Sequence, residues 1–456
     1  MTRTRAPFPL HLGILAGVLL LSLCGCLGGG SAGVDPPGTI TGTVSIPSTG
    51  KTAGIAVLLP ALRLKTVTDN TGAFTFANLP AGPYTVQAED NAYRLQDRKT
   101  VTVNAGRSSG VVLTLVPDNT IGTVVGSVPR SALDPSGRTI TASVRDNYLF
   151  LGDHFGGAPI VDVADPRNPV VQSIIGPISI LPRGTTYMTY PTEDGDHLAI
   201  VNNIDGFLYY DITDKAAPIL LRQVYLVDNA IGGIDPASLT DYPYAVPAGK
   251  FVLYPQSVTG KGDTLYVAGM DVILIYDISN RANPVQTGAV DRTRIAGDGA
   301  DIHIHDNTLL YSGSDLVVFD ITNPRAPARL GSYTPVGGWS PTGAAGFGKI
   351  VGMSTIGHLG LGIPGIQFIN VTDPASPSAL ASFPAISQGM DSSWDGYFYA
   401  GTDNSMTVYK ADEAAMSISE MYSVPVVEDY AMNVAVSGDY AYVSDKTKGL
   451  KIVKIK

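Results

Sequence analysis

Two histidines, His303 and His305, stand two residues apart in the stretch ADIHIHDN. Alternation puts Ile302 and Ile304 toward a core and both imidazoles on the opposite face of a strand. A same-face imidazole pair is the beginning of a transition-metal site, and such a site needs further ligands that the spacing does not supply. Acids gather just before the first strands of the units described below: Asp298, Asp301, Asp391, Glu428 and Asp429. Their hard oxygens suit Ca²⁺, which is the one cofactor to consider. No contiguous calcium loop is present, and a solvated acidic rim is the competing reading. Aromatic residues form a third set. Tyr242, Tyr244, Phe251 and Tyr254 lie among prolines in the long stretch 226–256, and Trp339 lies in a second enlarged stretch, 337–348. Such side chains serve contact surfaces because one end is apolar and the other polar. A lid packed on the body is the alternative.

Two literal motifs carry no chemistry. Gly106-Arg107-Ser108-Ser109-Gly110 fits a nucleophile elbow, but no helix pattern follows it. Gly360-Leu361-Gly362-Ile363-Pro364-Gly365 fits a dinucleotide fingerprint, but it sits in a β-hairpin loop with no helix N-terminus to receive phosphate. No catalytic residue is therefore assigned.

The elements that must position these residues begin with an export signal. Arg3 and Arg5 precede an apolar run, Leu10–Leu23, that is too short to span a bilayer as a helix. The run ends in Leu23-Cys24-Gly25-Cys26, which resembles the lipobox of bacterial lipoproteins. The resemblance implies cleavage after Gly25, lipid on Cys26, and a membrane contact made through that anchor. Leu27, in place of Asp, implies the outer membrane. Cleavage would remove Cys24 and lipidate Cys26, leaving neither a disulfide nor a free thiol. It would also remove two arginines and no acid, leaving 28 basic against 40 acidic residues. That balance argues against nucleic acid as a partner.

Residues 26–37, the lipidated cysteine followed by a Gly-rich and then Pro-rich run, read as a flexible tether. From Gly38 the pattern becomes short alternating strands, with Phe74/Phe76 and Tyr84/Val86 as same-face pairs. Asn70 and Gly72 mark a turn where positive φ is easiest. Asp69, Gly72, Phe74, Phe76, Leu79, Pro80, Gly82, Tyr84 and Val86 together resemble the carboxypeptidase-regulatory-like β-sandwich over 38–116. The three aromatics read as core, so the segment reads as a spacer rather than a sugar-binding platform.

After a linker at 117–122 the chain repeats itself through 123–456. IVDVADPRNPV, YYDITDKAAPI, IYDISNRANPV, VFDITNPRAPA and FINVTDPASPS are successive copies of an aliphatic strand ending in an acid or amide, then a proline turn. VYKADEAAM and IVKIK are weaker copies. The anchor positions are 162, 211, 277, 320, 370, 410 and 454, with hairpins between them. Asn370, Lys410 and Lys454 depart from the Asp of the others. A unit of this length holds the four strands of a β-propeller blade. The copies resemble the LVIVD repeat family. The fold class is therefore all-β, a small β-sandwich followed by a seven-bladed β-propeller. The segment 122–129 is expected to complete the last blade and remove a sheet edge. The repeated Asp reads as a turn acceptor, since no catalyst is needed five times.

The expected function is a non-catalytic binding or scaffold lipoprotein that presents the propeller to a protein or glycan partner. A propeller hydrolase or lyase at the channel mouth is the alternative from the enzyme class. A structural envelope or matrix component is the third reading.

Overall fold

The structure, a computed structural model, describes residues 35–90, 94–133, 137–154, 157–176, 186–239, 245–269, 271–291, 295, 301–335, 341–355, 365–385 and 387–456. Cys26 and the export segment lie outside the described residues, as do Tyr242, Tyr244, Asp298 and Trp339.

The first unit is a sandwich of two sheets. The three-stranded sheet sets Gly38–Ser45 between Ala73–Leu79 and Ser108–Thr114, antiparallel to the first and parallel to the second. The other sheet runs Leu64–Val67, Ala56–Leu59, Gly82–Asp90, Leu95–Val103 and Val116–Pro117. Phe74, Phe76, Tyr84 and Val86 are all buried between the sheets, so the aromatics are core as the alternation required. The turn before Phe74 is held by Asp69, whose Oδ1 accepts from the Thr71 and Ala73 amides at 2.8 and 2.9 Å. Gly72 takes φ +83°, and a Cβ there would lie 2.5 Å from the Val44 carbonyl oxygen. Asn70 is not among the residues with positive φ; Asn78, at φ +59°, is. The Asp69 carboxylate replaces what Asn70 was expected to supply, because it fixes the turn from the preceding position.

The rest of the chain forms seven four-stranded antiparallel sheets. Numbered as blades 1 to 7, they span 138–175, 186–224, 255–290, 301–333, 341–383, 387–425 and 431–454. The last holds three strands from its own span. Its fourth is Val124–Pro129, which pairs with Gly449–Lys454 through Leu450↔Val128 and Lys451↔Ser127. The end of the chain is thereby stitched to the start of the propeller, and no blade edge is left unpaired at the seam.

Apolar strand positions explain the ring. Among the described residues the propeller has seven apolar clusters, and each joins two neighbouring blades. Phe207 and Tyr209 of blade 2 meet Leu274 and Tyr276 of blade 3, for example. Tyr442 and Ile452 of blade 7 meet Leu149 and Val161 of blade 1. No blade buries its apolar faces alone, which makes the repeat count a stability requirement.

The inner strand of blade 5 has a packing reason for its composition. Its inner strand, Pro341–Phe347, is rich in Gly and Ala. A Cβ on Gly346 would lie 2.3 Å from the His305 ring, so the small residue makes room for that imidazole.

Candidate functional site

Seven inner strands, one per blade, surround a channel of about 580 Å³. Each inner strand runs from one face of the ring to the other, and successive strands alternate in direction. Turns between the first and second strands, and between the third and fourth, therefore share one face. The long connections into the next blade open on the opposite face.

The repeated acids occupy the turn face and act locally. Asp162, Asp211, Asp277 and Asp320 each accept the amide N–H two residues on, at 2.9, 2.8, 2.8 and 2.7 Å. Asn370 does the same for Thr372 at 2.8 Å. Amide and carboxylate are interchangeable in this role because only one acceptor oxygen is needed.

The candidate acids do not come together. Asp301 opens the inner strand of blade 4 and is buried. Its carboxylate accepts from Ser257 Oγ of blade 3 at 2.8 Å and from the Ala344 amide of blade 5 at 3.2 Å, linking three blades. Burial pushes it up to about 7 against those donors. Asp391 corrects the sequence reading. It is not before an inner strand but is the penultimate residue of Ser387–Ser392, at the other end of the channel. The inner strand of blade 6 begins earlier than the repeat pattern implied. Asp391 accepts from the Ser392 and Val436 amides at 2.7 and 2.8 Å, and burial raises it to about 6. Glu428 and Asp429 are exposed ahead of the blade 7 inner strand, where Glu428 pairs with Lys451 at 3.4 Å. Among the described residues no group of three or more His, Cys, Asp and Glu is placed to hold a metal.

His303 and His305 lie on the strand Asp301–His305, with Ile302 and Ile304 in the blade 3–4 core. His303 lines the channel, and burial, helped by His305, pushes its imidazole down to about 4. His305 Nε2 meets the Gly348 carbonyl oxygen at 2.6 Å, which joins blades 4 and 5.

The insertion 226–254 leads from blade 2 to blade 3 on the face opposite the turns. Leu226–Asp228 and Lys250–Val252 pair as a small hairpin. Phe251 is half-buried against the blade 2–3 core. Tyr254 takes φ +46°, and its hydroxyl accepts from Asn203 Nδ2 at 3.3 Å. Both residues brace the loop on the propeller.

The turn face carries the sandwich. Val86 and Ala88 point into the sandwich core, so Gln87 and Glu89 project outward from the same strand toward blades 6 and 7. Leu58 of the sandwich and Ile121 of the linker join the blade 6–7 apolar cluster. Arg98 grips Asp439 through two hydrogen bonds of 2.6 and 2.8 Å. Lys454 Nζ reaches Asp118 at 2.9 Å, and the Arg94 guanidinium lies 4.5 Å from the Tyr422 ring centre.

Glu89 is 2% exposed. Its Oε1 accepts from Tyr397, whereas Oε2 has no hydrogen-bond partner. Burial, reinforced by Asp395, raises Glu89 to about 8. Lys410 Nζ lies 3.4 Å from the Tyr397 ring centre and donates to the Asp395 carbonyl at 3.0 Å. Burial, with Lys65 nearby, lowers Lys410 to about 7. Lys410 and Lys454 occupy the repeat position that is Asp or Asn in the other blades. In blades 6 and 7 the turn acid has been exchanged for a lysine at the junction with the sandwich.

Comparison with known proteins agrees with this architecture. Residues 39–116 match the carboxypeptidase regulatory-like domain. Residues 136–175, 254–292, 296–335 and 429–455 match the LVIVD repeat. The matches take in the last unit, whose anchor is Lys454, and not the units anchored at 211, 370 and 410. No curated protein matches the chain in sequence. Among solved structures, a chain of "Crystal Structure of Mitotic Checkpoint Complex" is 12% identical with a TM-score of 0.50, covering 74% of this chain and 92% of that one. "Crystal structure of RRP9 WD40 repeats" is 9% identical with a TM-score of 0.50, covering 72% of this chain and 98% of that one. At such identities the likeness concerns the fold alone.

Proposed function

We propose that this chain, which carries a carboxypeptidase regulatory-like domain and LVIVD repeats in a β-propeller, is a non-catalytic binding scaffold held at the outer membrane by lipid on Cys26. Its insertion-loop face meets a protein or glycan partner. The observation that carries this reading is the docking of the sandwich on the turn face through Arg98–Asp439, Lys454–Asp118 and the Tyr397–Glu89 contact. The sandwich occupies the turn face at blades 6 and 7, and the long connections lie on the other face. The sandwich also sets the tether apart. Residues 35–37 enter beside Gly106, whereas the linker to the propeller leaves from the opposite ends of the parallel strands Gly38–Ser45 and Ser108–Thr114.

Two experiments test this reading. Cys26→Ala should move the protein from the membrane fraction to the soluble exported fraction; retention in the membrane would overturn the anchor. Capture from native envelopes should yield a partner or glycan that is lost when residues 229–249 are replaced by a short Gly-Ser link. A partner retained by that variant would overturn the assignment of the face.

One observation favours a second reading, a hydrolase or lyase in the channel: Asp301, His303 and Asp391 all line it. Both carboxylates are engaged by donors of neighbouring blades, which suits a structural role better. Turnover by wild type that is abolished by Asp391→Asn without a change in thermal midpoint would favour the enzyme.

A further inference from the structure

Lys456 follows the strand Gly449–Lys454 of blade 7, and Asp395 lies in the blade 6 turn between Ser387–Ser392 and Tyr397–Thr402. Lys456 Nζ is 3.3 Å from Asp395 Oδ2, and the two side chains are 9% and 0% exposed. Both ends of this contact are fixed. Ile455 is buried in the blade 6–7 core, and its amide donates to the Asp439 carbonyl at 2.8 Å. Asp395 Oδ1 accepts from Ser393 Oγ at 2.5 Å, inside a turn closed by the Ser393 amide on the Tyr397 carbonyl at 2.8 Å.

The amine and the carboxyl therefore meet out of water, beside a third group that can carry a proton. Glu89 of the sandwich faces Asp395. Its Oε1 accepts from Tyr397, and its Oε2 is buried with no hydrogen-bond partner. Burial, reinforced by Asp395, raises Glu89 to about 8, so it holds a proton at neutral pH. The neighbouring amine, Lys410 Nζ, is engaged by the Asp395 backbone carbonyl at 3.0 Å. A buried ion pair forfeits the hydration of two charges, whereas an amide in its place carries none.

We propose that Lys456 Nζ and Asp395 Cγ condense to an isopeptide bond, which ties blade 7 to blade 6 beneath the sandwich. The step balances without a co-reactant. One proton crosses the contact from Lys456 to Asp395, leaving an uncharged amine against an uncharged carboxylic acid. The nitrogen lone pair attacks Cγ, with the advantage of two groups already held together. A C–N bond forms and a C–O bond breaks. Glu89 Oε2 gives its proton to the departing hydroxyl and takes one from the nitrogen, so Glu89 ends as it began. The products are one amide and one water, which leaves past the partly exposed Lys456 side chain. The bond lies on the turn face and stands or falls separately from the insertion-loop face.

The test is digestion of the purified full chain and tandem mass spectrometry of its peptides. A branched peptide should join Asp395 to Lys456, lighter by one water than the two linear peptides together. Lys456→Arg keeps the positive charge but has no amine to condense. Its branched peptide should be absent and its thermal midpoint lower than that of wild type. Glu89→Gln, sampled at intervals after a pulse of synthesis, should gain the branch roughly tenfold more slowly and reach the same end point. Linear peptides alone from wild type, or water lost only within the Asp395-Gly396 peptide, would overturn the proposal. A branch at Lys410 in place of Lys456 would overturn it as well. A wild-type rate in Glu89→Gln would overturn the proton transfer assigned to Glu89.

Discussion

The Tyr397 hydroxyl donates to Glu89 Oε1 at 3.1 Å, across 308 residues of sequence. This contact joins the two units at their most buried polar point, and its chemistry is pH-dependent. Glu89 faces Asp395, Lys410, Lys456 and Lys65. Its folded value of about 8 lies above the usual carboxylate range, so the folded protein keeps a proton that the unfolded chain releases. Stability from this group is complete below about pH 4.5 and is lost as pH rises toward 8. Lys410 runs oppositely. Its value is lowered to about 7, so its cost is full in acid and fades above neutrality. Comparison of Glu89→Gln with wild type isolates the carboxyl. The two proteins should have equal thermal midpoints at pH 4, and the variant should be more stable by roughly 1–3 kcal/mol at pH 9. An equal midpoint at both pH values would contradict this assignment.

The ion pair beside the seam and the one at the sandwich junction differ in burial and should differ in strength. Arg130, just past the closing strand, grips Asp153, whose side chain is fully buried. Replacing Arg130 with Met leaves a buried carboxylate without its guanidinium and should cost about 3–5 kcal/mol in urea denaturation. Arg98 and Asp439 are about one-third exposed. Asp439→Ala should cost less than about 1 kcal/mol, and less still in high salt.

Closure of the ring depends on a short strand far from its partner in sequence. Val128 is 2% exposed and sits opposite Leu450. Val128→Asp places a charge in the blade 7–1 core and should cost more than about 3 kcal/mol. It should also free the edge Gly449–Lys454, so concentration-dependent oligomers are expected in size-exclusion chromatography.

The turn acids make a milder and more specific prediction. Asp162 accepts from the Ala164 amide. Asp162→Asn should leave the thermal midpoint nearly unchanged, since Asn370 plays the same part in blade 5. Asp162→Ala should cost about 1 kcal/mol. An Asn variant as costly as the Ala variant would contradict the turn role.

The propeller was legible because its information is local. Each copy states its own strand and turn, and the fourth strand of blade 7 could be assigned because a repeat unit was incomplete. The sandwich core was legible from Phe74, Phe76 and Tyr84 for the same reason. The junction was not. Glu89, Arg98, Asp439 and Lys410 meet through tertiary packing, and nothing near each residue in sequence names its partner. A signal was nevertheless present at Lys410 and Lys454, the two positions where lysine replaces the repeat Asp. Asp391 was misplaced for a related reason: blade 6 starts its inner strand at Ser387, a boundary that short strands rich in Gly and Ser do not mark.

The central claim is that the sandwich docks on the turn face and the insertion-loop face meets the partner. A photo-cross-linking side chain placed at Ser238, exposed in the insertion, and another at Ala216, exposed in a turn of blade 2, test this directly in native envelopes. The account predicts a discrete adduct from position 238 and none from position 216. Adducts from position 216 alone, or equally from both, would contradict it.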